Sequence, residues 1–97
     1  MSVDQETLDQ AGRLLLGNDW KLPMATLLGP YHPEGARERL DPRLVRRWAA
    51  GDRPIPPWVA PALGALLRER AKELARDAKL AAALSERLRH GGPRATT

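Results

Sequence analysis

The stretch Asp41-Pro42-Arg43-Leu44-Val45-Arg46-Arg47-Trp48-Ala49-Ala50-Gly51 carries both ends of a helix and two chemically distinct faces. Asp41 can accept hydrogen bonds from the first free backbone N–H groups. Pro42 suits the first helical position, where a missing N–H costs nothing. Gly51 can enter the left-handed conformation that closes a helix. Between them, Val45 and Trp48 lie three apart on one face, and Arg43, Arg46, Arg47 and Ala50 fall on the other. The spacing predicts a short helix over Pro42–Ala50 with one buried stripe and one arginine stripe. Such a helix can seat itself on a core and offer guanidinium groups to a groove of nucleic acid.

Upstream, Leu8, Ala11, Leu14 and Leu15 recur at helical spacing and predict a helix over Thr7–Leu16, ended by Gly17 and Asn18. A second helix is expected from Lys21 or Leu22, with Asp19 as its cap and Pro23 in the first turn. Met24, Leu27 and Leu28 give it a core face, and Gly29-Pro30 stops it. Pro30, Pro33 and Gly35 open a loop, after which Ala36–Leu40 is expected to add a helical turn. Downstream of Gly51, Pro54, Pro56 and Pro57 stiffen an extended link.

The last helix is expected to begin near Pro57 or Trp58 and reach Arg89, with Pro61 in its first turn. Gly91-Gly92-Pro93 ends it, leaving a flexible tail over 91–97. Leu67, Leu74, Ala81 and Leu88 are spaced by seven, and Gly64, Ala71, Ala78 and Ser85 are their companion positions. The pattern resembles a short coiled-coil seam with small residues on one side. Leu63, Leu66, Leu80 and Leu84 widen the apolar surface. The first half, to about Leu67, is expected to pack on the N-terminal domain. The second half is expected to pair with another chain, with Leu67, Leu74, Ala78, Ala81 and Leu88 as dimerisation residues. Its mixed charges read as a solvated face.

The chain has 97 residues, room for one small domain with a long helix attached. It has no cysteine, which excludes disulfides and thiolate chemistry and fits a reducing cytoplasm, the expected location. No secretory signal pattern or membrane-length apolar run is present. His32 and His90 lie far apart without a cluster of ligands, so neither a metal nor another cofactor is expected. No Ser-His-Asp order, metal cluster or glycine-rich phosphate loop occurs, and a non-enzymatic role is expected.

The net charge of +4 is unevenly placed. Residues 1–36 carry two cations against five acids, whereas 37–53 carry six arginines against three acids. This asymmetry favours a polyanion near the central helix. With no Phe and one Tyr, a stacking surface for single strands is poorly supported, and Trp20, Trp48 and Trp58 read as packing residues.

Two stretches, Met24-Ala25-Thr26-Leu27-Leu28-Gly29 and Leu40 through Pro56, resemble the small phage- and plasmid-type helix-turn-helix repressors. In this likeness Ala25 matches the small residue where two helices cross, and Leu28-Gly29 matches the start of the turn. Leu40, Val45 and Trp48 match the apolar positions that seat the recognition helix. The resemblance covers roughly residues 8 to 68. It implies an all-α fold with a helix-turn-helix domain over 1–56, an inserted segment at 30–40, and a long packing or dimerisation helix over 57–90. Two departures stand out. Pro30–Leu40 occupies what is usually a tight turn, and Leu44 stands where the family often has a small polar residue.

The function implied is a sequence-specific, double-stranded-DNA-binding transcriptional regulator, most simply a homodimeric repressor on an inverted repeat. Arg43, Arg46 and Arg47 are the expected DNA contacts. Arg53 could clamp the backbone just after the helix, Pro42 sits at the helix start, and Arg39 depends on the path of the inserted arm. The alternative is an adaptor or antitoxin-like phage protein whose arginine face meets an acidic protein partner.

Overall fold

The computed structural model describes residues 3–90, so the expected tail at 91–97 lies outside the described residues. It is all-helical, in the order α1 (Gln5–Leu16), α2 (Lys21–Leu28), α3 (Pro42–Ala50) and α4 (Val59–Arg89), with a one-turn 3-10 helix over Gly29–Tyr31. No strand occurs among the described residues. Two compact units are present, Met1–Leu67 and Arg68–Thr97. The first unit thus extends past the expected boundary at residue 56 and takes in the start of α4.

In the first unit, α1 begins two residues earlier than the apolar spacing indicates. Asp4 is its cap, with the Thr7 backbone N–H donating to Oδ1 at 2.7 Å. Gly17, at φ 90°, ends it. α2 starts where expected, but without the expected cap. Asp19 is exposed, and Trp20 takes the N-cap position with helical backbone and no side-chain cap. The Met24 N–H donates to the Trp20 carbonyl at 2.9 Å. Burial of the Trp20 indole fixes this start: Trp20 is fully buried, and a Cβ at Gly12 of α1 would overlap its ring. Gly12 is therefore the notch in α1 that admits the indole.

α3 forms with the predicted bounds and by the predicted signals. Asp41 caps it by accepting from the Arg43 N–H at 3.0 Å, Pro42 occupies the first position, and Gly51 is left-handed at φ 80°. α3 packs on both α1 and α2. Val45 and Trp48 are fully buried beside Leu8, Ala11, Trp20, Met24, Ala25, Leu28 and Leu40. Val59, Ala62 and Leu63 of α4 complete this core, with Leu66 and Leu67 half-buried against it. Full burial of one such aliphatic side chain contributes about 1.5–3 kcal/mol, so α3 is held mainly through Val45 and Trp48. Gln5 of α1 adds a polar tie, donating through Nε2 to the Ala49 carbonyl at 2.7 Å.

The segment between α2 and α3 differs from its expectation. Ala36–Leu40 forms no helical turn. Instead it runs back along the end of α2, with the Arg37 N–H donating to the Gly29 carbonyl and the Leu40 N–H to the Ala25 carbonyl, both at 2.9 Å. These bonds tie the segment to the C-terminal end of α2, where the Gly29 carbonyl also accepts from the His32 N–H at 3.2 Å. Gly29 permits the approach, since a Cβ there would lie 2.6 Å from the Arg37 carbonyl oxygen. His32 rests against Trp58, with ring centroids 5.6 Å apart.

In the second unit, no side chain from Arg68 to His90 is buried. The helix here is held by its backbone and by local pairs such as Arg70–Glu73, Lys72–Glu69 and Arg89–Glu86.

Candidate nucleic-acid interface

The amphipathic split of α3 leaves Arg43, Arg46 and Arg47 exposed on the side away from Val45 and Trp48. The three arginines do not form one cluster. Arg43 and Arg47 line a shallow depression with Asp41, Leu44 and Arg53. Arg46 lines a second one with Asn18, Asp19, Lys21 and Leu22. The exposed face of α3 therefore has two cationic edges, one completed by the link after α3 and the other by the start of α2.

On the first edge, Arg53 joins the arginines because the chain folds tightly after α3. The Asp52 and Arg53 N–H groups both donate to the Arg47 carbonyl, at 2.9 and 3.3 Å. Arg43 is engaged by Asp41 through Nε to Oδ1 at 3.3 Å and Nη2 to Oδ2 at 3.2 Å. The hydrogen bond from the Arg43 side chain, with that from its backbone N–H, holds the Asp41 carboxyl below its usual range. The same carboxylate raises the Arg43 guanidinium. Arg46, Arg47 and Arg53 make no ion pair among the described residues. Leu44 is half-buried and packs against the core as well as lining the depression, which accounts for an apolar side chain between arginines.

On the second edge, Lys21 is a cation that the sequence reading did not select. It is exposed at the first position of α2. Its signal in the sequence was only its place at a helix start, which says nothing of proximity to Arg46. Asn18 in the same depression accepts from Arg13 Nη1 at 3.2 Å. Asp19, expected as a cap, lies instead beside Lys21 and Arg46 as the acidic member of this edge.

The remaining sequence candidates divide. Pro42 is half-buried at the start of α3 and serves the helix geometry. Arg39 is exposed on the returning arm and lines neither depression. Leu67, expected at a dimer seam, packs against the core of its own unit, because the first unit continues through the start of α4. Leu74, Ala78, Ala81 and Leu88 are exposed. No cluster of metal-ligating side chains occurs among the described residues, and no helix there is long and apolar enough to cross a membrane.

No family model matches the chain, and no curated protein or solved structure is similar to it.

Proposed function

We propose that the chain is a sequence-specific, double-stranded-DNA-binding transcriptional regulator, most simply a homodimeric repressor acting on an inverted repeat. One observation carries the reading. α3 buries Val45 and Trp48 completely while Arg43, Arg46 and Arg47 stay on its free face. That free face is lined on both sides by further cations, Arg53 and Lys21. A short, rigidly seated helix with this array suits the major groove, whose base edges accept from arginine and whose walls are phosphate. Repression would follow from occlusion of the site, with no small ligand.

The test is selection of bound fragments from genomic DNA with the purified chain, followed by footprinting. A protected inverted repeat, lost in the Arg46→Ala, Arg47→Ala double variant with its helicity unchanged, supports the reading. No enriched sequence from folded protein overturns it and directs attention to an acidic protein partner.

A further inference from the structure

The second unit presents an apolar face with no partner in its own chain. Leu74 is 39% exposed, Leu84 41% and Leu88 71%. Ala71, Ala75, Ala78, Ala81, Ala82 and Ser85 fall on the same side at helical spacing and are also exposed. Among the charged residues between them, Lys72, Glu73, Arg76, Lys79 and Glu86 lie off this side, whereas Asp77 falls on its edge, seven residues before Leu84.

The order of large and small residues on this face is not random. Turn the segment end for end, so that residue 71 meets residue 88. Leu74 then meets Ser85, Leu84 meets Ala75, Leu88 meets Ala71, and Ala78 meets Ala81. Each of these three leucines faces a small residue, and the centre is alanine against alanine. Facing layers that alternate large with small fill space at native density. A parallel, in-register pair would do the opposite. It would set Leu74 on Leu74 and Leu88 on Leu88, and leave Ala71, Ala78, Ala81 and Ser85 in small-on-small layers. Leucine layers and alanine layers call for different interaxial distances within the 8–10 Å range, so such a pair leaves voids along most of its length.

We propose that residues 68–89 bind the same segment of a second copy of this chain as an antiparallel helix pair, with Ala78 of each copy against Ala81 of the other. This deepens the homodimer of the preceding reading, and it makes no use of DNA.

The test takes advantage of a chain without cysteine. Spin labels are placed singly, in the full chain and without DNA, at Lys72→Cys, Lys79→Cys and Glu86→Cys, three positions spaced by seven on one side of the helix. Label-to-label distances within the dimer are then measured by pulsed dipolar spectroscopy. The antiparallel pair sets the two residues 79 nearly level, and separates the two residues 72 by about 22 Å and the two residues 86 by about 20 Å along the axis at about 1.5 Å per residue. The expected result is one short and two long distances. Three equal short distances signify a parallel pair and overturn the proposal. A sedimentation mass of one chain at the labelling concentration overturns it too. Because operator binding is measured separately, a chain that footprints DNA but shows either adverse result sinks this inference alone. A chain with the expected distances and no DNA site sinks only the regulator.

Discussion

The Arg43 guanidinium and the Asp41 carboxylate lie 3.2 Å apart while the same carboxylate caps α3 through the Arg43 backbone N–H. One acid thus both starts the helix and restrains the first arginine of its exposed face. Asn is as good a cap as Asp but carries no charge. Asp41→Asn is therefore expected to keep the cap, to lower the thermal midpoint only slightly at neutral pH through loss of the carboxylate's pairing, and to release Arg43. Under the proposed function, DNA affinity should rise across all sequences, because one negative charge leaves the proposed interface. Asp41→Ala, which removes the cap as well, should lower the midpoint by several degrees in a thermal melt monitored by circular dichroism.

The caps predict how the fold responds to acid. Asp4 is held below its usual range first by its hydrogen bonds with Thr7, and Asp41 by its hydrogen bonds with Arg43. A carboxyl whose pKa is lower folded than unfolded contributes stability above the unfolded pKa, near 4, and loses it as pH falls through the folded value. Stability should hold from neutral pH to about 5 and decline below about 4. In Asp4→Asn, Asp41→Asn protein the decline should be shallower. Equal acid sensitivity of the two proteins in denaturant titrations would show that other carboxyls govern it.

Gly12 tests the notch that receives Trp20. At an ordinary site inside a helix, Gly→Ala stabilises by about 1 kcal/mol. Here the added methyl would overlap an indole that is fully buried. Overpacking of this kind costs about 1–3 kcal/mol, so Gly12→Ala should destabilise the first unit in urea. Gly17→Ala also removes a helix-end glycine, but at a position with open space and φ 90°. Its cost should come from backbone strain alone, with no change at Trp20. Fluorescence of Trp20 separates the two if Trp48 and Trp58 are first replaced by Phe in both proteins.

The fold was legible where the chain's signals are local. Asp41, Pro42 and Gly51 mark α3 to the residue, because cap, first position and stop each act through a neighbour in sequence. The start of α2 was not legible in the same way. Its cap position falls to Trp20 because a glycine on another helix makes room for the indole, and a window around residue 20 contains no trace of Gly12. The arm between α2 and α3 failed for a related reason. Its N–H groups go to carbonyls of Ala25 and Gly29, and that long-range pairing outweighs the local helical preference of Ala36–Leu40. For the candidate site, the three arginines of α3 followed from periodicity, and so did their exposure. Their division into two edges did not, since it depends on Lys21 meeting Arg46 across the α2–α3 packing and on the tight fold that brings Arg53 to Arg47.

Lys21 and Asp19 give the proposed interface an internal test of sign. Both lie in the depression with Arg46, and neither side chain takes part in the core. Under the proposed function, Lys21→Gln removes a cation at the phosphate wall, so DNA affinity should fall. The slope of log affinity against log salt should shrink by about 0.9, the value for one phosphate contact. Asp19→Asn removes an acid from the same place, so affinity should rise. Each change should act equally on specific and non-specific DNA, because phosphate contacts carry no sequence information. Arg46→Ala should differ if Arg46 reads a base, lowering specific binding more than non-specific binding. These curves come from fluorescence anisotropy over a salt series. Unchanged affinity in Lys21→Gln and Asp19→Asn, with the wild-type slope retained, would remove the start of α2 from the interface and confine DNA contact to the edge formed by Arg43, Arg47 and Arg53.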